Sequence, residues 1–275
     1  MRHRTSISIA LCSIIAGSAI VAAAQATTPP PPPNVLVIQR EYLKPGKSGA
    51  IHVKSEGAFI KAQVDAKWPT HYIAMDSMSG PTRALFVFGY DSFEAYGKDQ
   101  EAQAKNADLA SAIDAASLAD GELLERYDTN TFVYHPEMSL HAAVEIPHQR
   151  YFELMLFHIK QGHDQEWSEL VKIYMNGYKD VPTTHWATFE STYGENNGGE
   201  WLVINPMRSL AEVDKGMQSG KAFEAALGPA GLKRFDELSA ACIESVQVNL
   251  FSVNPKESYI DPAWATVAPE LYGQQ

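Results

Sequence analysis

The chain has 275 residues, and its 33 acidic residues outnumber its 22 basic ones, giving a formal net charge of −11 at pH 7. Such a charge repels nucleic acid and anionic lipid, which argues against both as partners. Only two cysteines are present, and Cys12 falls inside an N-terminal export signal, so the mature chain keeps Cys242 alone. An intrachain disulfide is therefore excluded, and a chain of this length can bury a core without one.

Residues 1–26 have the pattern of a cleaved signal peptide. Two arginines stand near the start, residues 7–21 are apolar, and residues 24–26 read Ala-Gln-Ala, a small-x-small cleavage site. We therefore expect an exported protein, periplasmic or extracellular. Residues 27–33 follow as a proline-rich tether, which is extended and semi-rigid. No later stretch reaches the roughly 20 apolar residues of a membrane span, so none is expected.

A repeat is visible within the mature chain. Residues 125–139, ERYDTNTFVYHPEMS, and residues 244–258, ESVQVNLFSVNPKES, share Glu, Asn, Phe, Pro and Ser in register. The repeat is too long for a solenoid unit and indicates a duplicated small domain.

The elements predicted for the two copies follow the same order. The first copy has strands at 35–43, after Pro69, at 84–90 and at 123–134, with a helix after the first strand and an Ala-rich helical stretch at 100–118. The second has strands at 151–159, after Pro182, at 201–205 and at 243–253, with helices in the same places. The first helix of each copy shows one apolar stripe, at positions Ile51, Ser55, Ala58, Phe59 and Ala62 and at Trp167, Val171, Tyr174, Met175 and Tyr178.

Each copy therefore reads βαββαβ, an α+β, ferredoxin-like unit. We place unit 1 at 34–139, a linker at 140–149, unit 2 at 150–258 and a C-terminal arm at 259–275. An exposed sheet face must be covered, so the two units are expected to pack sheet to sheet as an internal pseudo-dimer. This tandem arrangement resembles the dimeric α/β-barrel superfamily, with NIPSNAP-like and antibiotic-biosynthesis-monooxygenase-like proteins as the nearest relatives.

The resemblance implies a cavity between sheet and helices within each unit. Phe59, Trp167 and Tyr174 would then be wall residues, and the alternative is that they are ordinary core. Three prolines interrupt the C-terminal tail, so we expect no helix there. It should instead lie across the neighbouring copy with its aromatic side chains as anchors.

His71 and His185 occupy the same position in both copies, each followed by an aromatic residue, Tyr72 and Trp186. A neutral imidazole there could hydrogen-bond a polar ligand or accept a proton. The alternative is structural, with each histidine satisfying a nearby backbone carbonyl.

His158 is expected near the end of an apolar strand face, and its counterpart in the first copy is Tyr42, with Arg40 two residues earlier. These side chains could form the polar end of a ligand pocket. Otherwise they are core residues that reach a carbonyl.

The linker histidines between 135 and 148 match no zinc spacing, and no nucleotide-binding or hydrolase motif is present. The sequence therefore predicts neither a metal site nor a cofactor of the protein's own. We expect a protein that binds a small apolar or aromatic molecule in its barrel. The alternative is a cofactor-independent monooxygenase-like or haem-processing enzyme that uses His158 or His185 beside aromatic walls.

Overall fold

The computed structural model describes residues 29–195 and 199–273. It is a mixed α/β structure in which eight strands form one closed barrel. The predicted signal peptide lies outside the described residues, as do the central positions of the loop at 194–199. Among the described helices, none has the length and apolar character needed to cross a membrane.

The first half of the chain begins with a strand that alternates inward and outward side chains up to Lys44-Pro45-Gly46. Its elements in order are β1 (Val35–Leu43), α1 (Ala50–Ala66), β2 (Tyr72–Ser77), β3 (Arg83–Tyr90), α2 (Phe93–Lys105), α3 (Ala107–Asp120) and β4 (Leu124–Tyr134). Asn106 separates α2 from α3, and its side chain accepts a hydrogen bond from the backbone N–H of Leu109. This is an ordinary helix N-cap, so the Ala-rich stretch is two helices instead of one.

The second half repeats the order with one long helix in place of two. Its elements are β5 (Tyr151–Ile159), α4 (Asp164–Tyr178), β6 (Ala187–Tyr193), β7 (Glu200–Met207), α5 (Ala211–Cys242), β8 (Ile243–Val253), α6 (Pro262–Val267) and α7 (Pro269–Tyr272). Helix α5 is kinked where Gly228, at φ 63°, precedes Pro229. The expectation that the tail contains no helix was wrong. Pro262 and Pro269 stand at the first position of short helices, where the N–H they lack has no intrahelical partner.

Around the barrel the strands lie in the order β1-β3-β2-β8-β5-β7-β6-β4, and every neighbouring pair is antiparallel. The halves are joined by the β2–β8 and β4–β6 pairs. Four antiparallel steps separate β1 from β5, so these two strands run in the same direction. Their C-terminal ends therefore meet at one mouth of the barrel.

The barrel interior is filled by apolar side chains from all eight strands. An eight-stranded barrel is just wide enough for side chains to fill it. Its buried members are Leu36, Ile38, Met75, Leu85, Phe132, Phe152, Leu154, Ala187, Phe189, Leu202, Ile204 and Phe251. The helices cover the outer face, so each strand has one side in this core and the other against helices or solvent.

The last strand of each half continues into a 3₁₀ turn that begins with the repeated proline and ends beside the repeated serine. Ser139 Oγ accepts a hydrogen bond from Thr188 N, and Ser258 Oγ accepts one from Ala74 N, each over 2.9 Å. Thr188 belongs to the second half and Ala74 to the first. The two repeated segments therefore make the same contact, each across to the other half.

The predicted buried stripe was wrong for α1 and largely right for α4. In α1 the buried side chains include His52, Glu56 and Ala62, whereas Ile51 is 44% exposed and Ala58 is also exposed. The stripe is rotated by about one residue because polar side chains, not apolar ones, lie underneath the helix. In α4 the predicted positions at 167, 171 and 178 are buried.

Candidate functional site

A small pocket lies inside the barrel at the mouth where β1 and β5 end. Its volume is about 70 Å³. The wall is apolar and the rim is polar, with two arginines, a tyrosine, a glutamine and an asparagine. The lining residues are Ile38, Arg40, Tyr42, Arg83, Leu85, Phe132, Leu154, Leu156, Leu202, Gln247, Asn249 and Phe251.

Arg83 is the unusual member of the rim. Its Nη2 donates a hydrogen bond to Asn249 Oδ1, and its guanidinium lies 5.1 Å from the ring centre of Phe251 and 5.7 Å from that of Tyr42. Its Nε is buried without a hydrogen-bond partner. Among the described residues, no carboxylate lies within ion-pair distance of it. Burial lowers the pKa of this guanidinium, although an arginine stays charged at neutral pH.

Arg40, by contrast, is already neutralised. Its Nε donates to the carboxylate of Asp128, and its Nη2 lies 3.4 Å from Asn130 Oδ1. Asn130 and Asn249 are the repeated asparagines, so each accepts from an arginine at this mouth. The structure thus places Arg40 and Tyr42 in one pocket and adds Arg83, which no sequence pattern marked.

His158 lies at the same mouth but does not line the pocket. Its Nε2 is 3.7 Å from Glu200 Oε1, and Glu200 is buried. Burial raises the pKa of the Glu200 carboxyl. His158 and Tyr42 hold matching positions in the two halves, yet only Tyr42 borders the cavity.

His71 and His185 lie apart from this pocket. His185 Nε2 bonds the backbone carbonyl of Pro206 over 2.6 Å, which is the structural role weighed as the alternative. It also borders an open cleft of about 300 Å³ that Glu145 and Arg208 share. The ring of His71 stacks on Tyr259 at 4.7 Å. The structure therefore does not bring these histidines together with His158.

The aromatic residues proposed as cavity walls pack against one another. Trp167 lies between Phe157 and Trp201, with ring centres 5.1 and 5.9 Å away. Tyr174 contacts Tyr178 and Trp186 among other rings, at 4.9 and 5.3 Å. Tyr72 packs on Phe86 and Phe88 in the first half. Phe59 is only partly buried in α1.

A buried polar cluster, which the sequence analysis did not anticipate, lies between the first half's strands and α1. Nδ1 of His52 is 3.0 Å from Glu257 Oε1, and Nε2 is 3.0 Å from Glu41 Oε2. Glu56 Oε1 is 3.7 Å from the same Nε2, too far for a hydrogen bond. We call His52, Glu41, Glu56, Asp120 and Glu257 the His52 cluster. Each of its members is at most 7% exposed.

The His52 cluster holds more acid than its single imidazole can balance. Burial opposes the charge of His52, but hydrogen bonds to Glu257 and Glu41 outweigh it and raise the pKa of the imidazole to about 11. Burial, reinforced by the charges of Glu41 and Asp120, raises the pKa of Glu56 to about 10. Burial likewise raises the pKa of Glu41 and of Glu257. Oxygens of Glu56, Asp120 and Glu257 remain without hydrogen-bond partners.

The sequence conceals this cluster because its members come from four separate elements. Glu41 is on β1, His52 and Glu56 are on α1, Asp120 ends α3, and Glu257 is in the 3₁₀ turn after β8. The one local signal is the spacing of His52 and Glu56, four residues apart and therefore on one helical face. Charged residues are almost never fully buried unless paired, so a periodicity search based on apolar residues assigns them to the solvent side.

Comparison with solved structures gives similar folds at low identity. A putative monooxygenase from Fusobacterium nucleatum subsp. nucleatum superposes with a TM-score of 0.52 at 10% identity, over 81% of this chain and 93% of that one. A mutant chlorite dismutase from Candidatus Nitrospira defluvii gives 0.47 at 8% identity, over 87% and 96%. A haem-binding protein from Thermus thermophilus gives 0.43 at 13% identity, over 84% and 96%.

No protein-family model and no curated protein sequence matches the chain. The similarity to the Fusobacterium protein supports the closed-barrel fold alone and carries no reaction with it.

Proposed function

We propose that the protein binds a small organic acid at the mouth of its barrel, with the carboxylate on Arg83 and a short apolar group in the pocket. The observation that carries this proposal is the half-buried guanidinium of Arg83, which has no acidic partner among the described residues and an unsatisfied Nε at the rim of an apolar cavity. Arginine presents a planar fork of donors that matches a carboxylate.

The size of the cavity limits the ligand. A cavity of about 150 Å³ accommodates benzene, and this pocket has about half that volume. The prediction of an apolar or aromatic ligand therefore narrows to a short-chain acid of about three or four carbons. The apolar end would face Leu85 and Leu154, and the acid would stay near Arg83 and Gln247 at the rim.

Calorimetric titration with acetate, propanoate, butanoate, hexanoate and benzoate tests this proposal. We expect the highest affinity for propanoate or butanoate and none for uncharged butanamide. Arg83→Gln should weaken binding about tenfold or more, because a hydrogen bond to a charged group contributes about 1.5–3 kcal/mol.

Arg126→Gln is the matched control for the Arg83 variant. Arg126 lies over the Tyr42 ring at 4.0 Å but does not line the pocket, so its loss should leave the affinity within about twofold. Equal losses in the two variants, or binding of butanamide as tight as that of butanoate, would contradict the proposal.

The alternative function is a monooxygenase-like or haem-processing enzyme. Haem needs a large apolar cavity with an axial ligand, and ligand pockets usually exceed about 300 Å³. The barrel-mouth pocket is far smaller, and the cleft beside His185 is bordered by Glu145, Arg208 and Glu212. Haem does not fit either of these two spaces. A Soret absorption band in the purified protein would revive this alternative.

We also infer that the chain is a tandem of two ferredoxin-like units and that it is exported. The strand orders β4-β1-β3-β2 and β8-β5-β7-β6, which are the same permutation of each half's strands, support the first inference. The sequence of residues 1–26 supports the second. A mature N-terminus at Thr27, identified by mass spectrometry of the secreted fraction, tests export.

A further inference from the structure

The His52 cluster lies on the opposite side of β1 from the barrel-mouth pocket. Arg40 and Tyr42 face the barrel interior, and Glu41 between them faces α1, since side chains alternate along a strand. No arginine or lysine among the described residues pairs with the cluster. Its carboxylates therefore share a single imidazole in a buried space, and ionised carboxylates cannot stay together there without a further cation.

The donors of the cluster converge. One oxygen each from Glu41, Glu56 and Asp120 and one nitrogen of His52 all lie within 4.8 Å of one another. Donors bound about 2.1 Å from one ion lie at most about 4.2 Å apart, so small side-chain adjustments would close the site. Glu56 and Asp120 are 3% and 2% exposed, and each has an oxygen that no hydrogen bond satisfies. Glu56 and Asp120 each also supply one of the converging donor atoms, so a cation bound there would compensate both carboxylates.

The two nitrogens of His52 have different surroundings. Nε2 faces Glu41 and Glu56, whereas Nδ1 lies 3.0 Å from Glu257, and an oxygen of Asp76 lies within 4.8 Å of the His52–Glu257 pair. Histidines that bind metals commonly donate their other N–H to a carboxylate, which fixes the tautomer and orients the ring. Nε2 is therefore the nitrogen that would bind an ion, and Glu257 would hold the ring in place.

We propose that His52 Nε2 and the carboxylates of Glu41, Glu56 and Asp120 bind one divalent first-row metal ion, oriented by Glu257. One imidazole with three carboxylates suits Mn²⁺ or Zn²⁺ better than Mg²⁺ or Ca²⁺, which take oxygen ligands. The site is closed to solvent, so the ion has a structural role. The proposal departs from the sequence-based expectation of no metal, and it does not depend on the organic-acid site.

The test starts from the protein as purified. Elemental analysis by mass spectrometry should find close to one equivalent of a divalent transition metal per chain. After removal of the metal with a chelator, Mn²⁺ alone should restore one equivalent, measured by electron paramagnetic resonance, and raise the Tm with increasing concentration. Zn²⁺ should displace the bound Mn²⁺.

Variants assign the site. Glu56→Gln and Asp120→Asn should each abolish stoichiometric Mn²⁺ binding, and Glu257→Gln should weaken it about 10- to 100-fold without abolishing it. Glu200→Gln is the matched control, because Glu200 is an equally buried carboxylate beside a histidine but belongs to neither donor group found among the described residues. It should bind Mn²⁺ as the unaltered protein does.

The opposing possibility is a cluster neutralised by protons only. The proposal is overturned if the purified protein contains no metal and neither 1 mM Mn²⁺ nor 1 mM Zn²⁺ changes the Tm. It is also overturned if Glu200→Gln and Glu56→Gln reduce binding equally. If Glu56→Gln fails to fold, the Glu257→Gln variant and the metal content of the unaltered protein still decide the question.

Discussion

The two halves fill the space between strands and helices in opposite ways. Beneath α1 of the first half lies the His52 cluster, and beneath α4 of the second lies an apolar cluster that includes Trp167, Leu170, Trp201 and Leu238. Position 41 holds Glu where position 157, its match in β5, holds Phe. The halves share their order of strands, so the difference shows that one strand order accommodates either a polar or an apolar layer beneath its first helix.

The difference extends to the segments that cross between the halves. The 3₁₀ turn after β8 brings Glu257 to His52 in the first half, and the turn after β4 brings Met138 to the apolar cluster of the second. Positions 138 and 257 match in the repeat. Each half therefore contributes one side chain to the other: the first half receives the carboxylate of Glu257, and the second receives the thioether of Met138. The apolar half needs no compensation, whereas the polar half requires protons or a cation.

The largest effect is expected from damage to the apolar half. Trp167→Ala would leave a cavity beneath α4 and should lower the free energy of unfolding by about 3–5 kcal/mol, measured by denaturant titration. Leu118→Ala, at a residue 79% exposed, should change it by less than about 0.5 kcal/mol. A decrease of less than about 1 kcal/mol in the free energy of unfolding for Trp167→Ala would mean that the apolar cluster beneath α4 contributes little to the stability of this half.

The next effect is a pH dependence of the metal-free protein that only the polar half produces. The pKa values of His52 and Glu56 are raised to about 11 and about 10, so the folded chain holds protons that the unfolded chain releases. Stability should therefore fall as pH rises above about 4.5, the ordinary pKa of Glu56, and more steeply above about 6.5, that of His52. Each retained proton corresponds to about 1.4 kcal/mol per pH unit, or about 3 kcal/mol from pH 7 to 9.

Chelated protein unfolded at pH 7, 8 and 9 tests that dependence. The titratable groups that face His52 and Glu56 are Glu41, Asp120 and Glu257 in the cluster, with Asp76 and Tyr72 nearby. Glu56→Gln, which cannot ionise, should reduce the slope by about half and leave the contribution of His52. A stability that rises from pH 7 to 9 in the unaltered protein would show that the cluster is not the source.

The smallest effect is expected from a feature that the two halves share, the hydrogen bond accepted by the repeated serine. Ser139→Ala and Ser258→Ala each remove the acceptor of one buried strand N–H, at Thr188 and Ala74. Each should cost about 1–3 kcal/mol in the free energy of unfolding, and the two losses should agree within about 0.5 kcal/mol. Clearly unequal losses would mean that the repeated serines do not play equivalent roles.

Much of the fold could be predicted because strand patterns are visible in short stretches of sequence and because the two copies can be aligned with each other. The bounds predicted for β1, β5 and β8 agree with those observed. Arg40 and Tyr42, which were predicted on one strand face, line the same pocket, whereas His158 does not. The His52 cluster could not be predicted, because apolar periodicity assumes that charged residues face water. Arg83 was missed because its significance is that no carboxylate among the described residues pairs with it, which only three-dimensional contacts reveal.

The repeated asparagines carry one more consequence. A Cβ added at Gly80 would lie 3.0 Å from Asn249 Oδ1, and one at Gly194 would lie 2.5 Å from Asn130 Oδ1, so each hairpin covers the other half's asparagine. Together with the exchanged 3₁₀ turns, these contacts mean that neither half is a complete folding unit. The chain is better regarded as one cooperative domain than as two independently folding domains. A half produced alone would lack the 3₁₀ turn and the hairpin that the other half contributes to it.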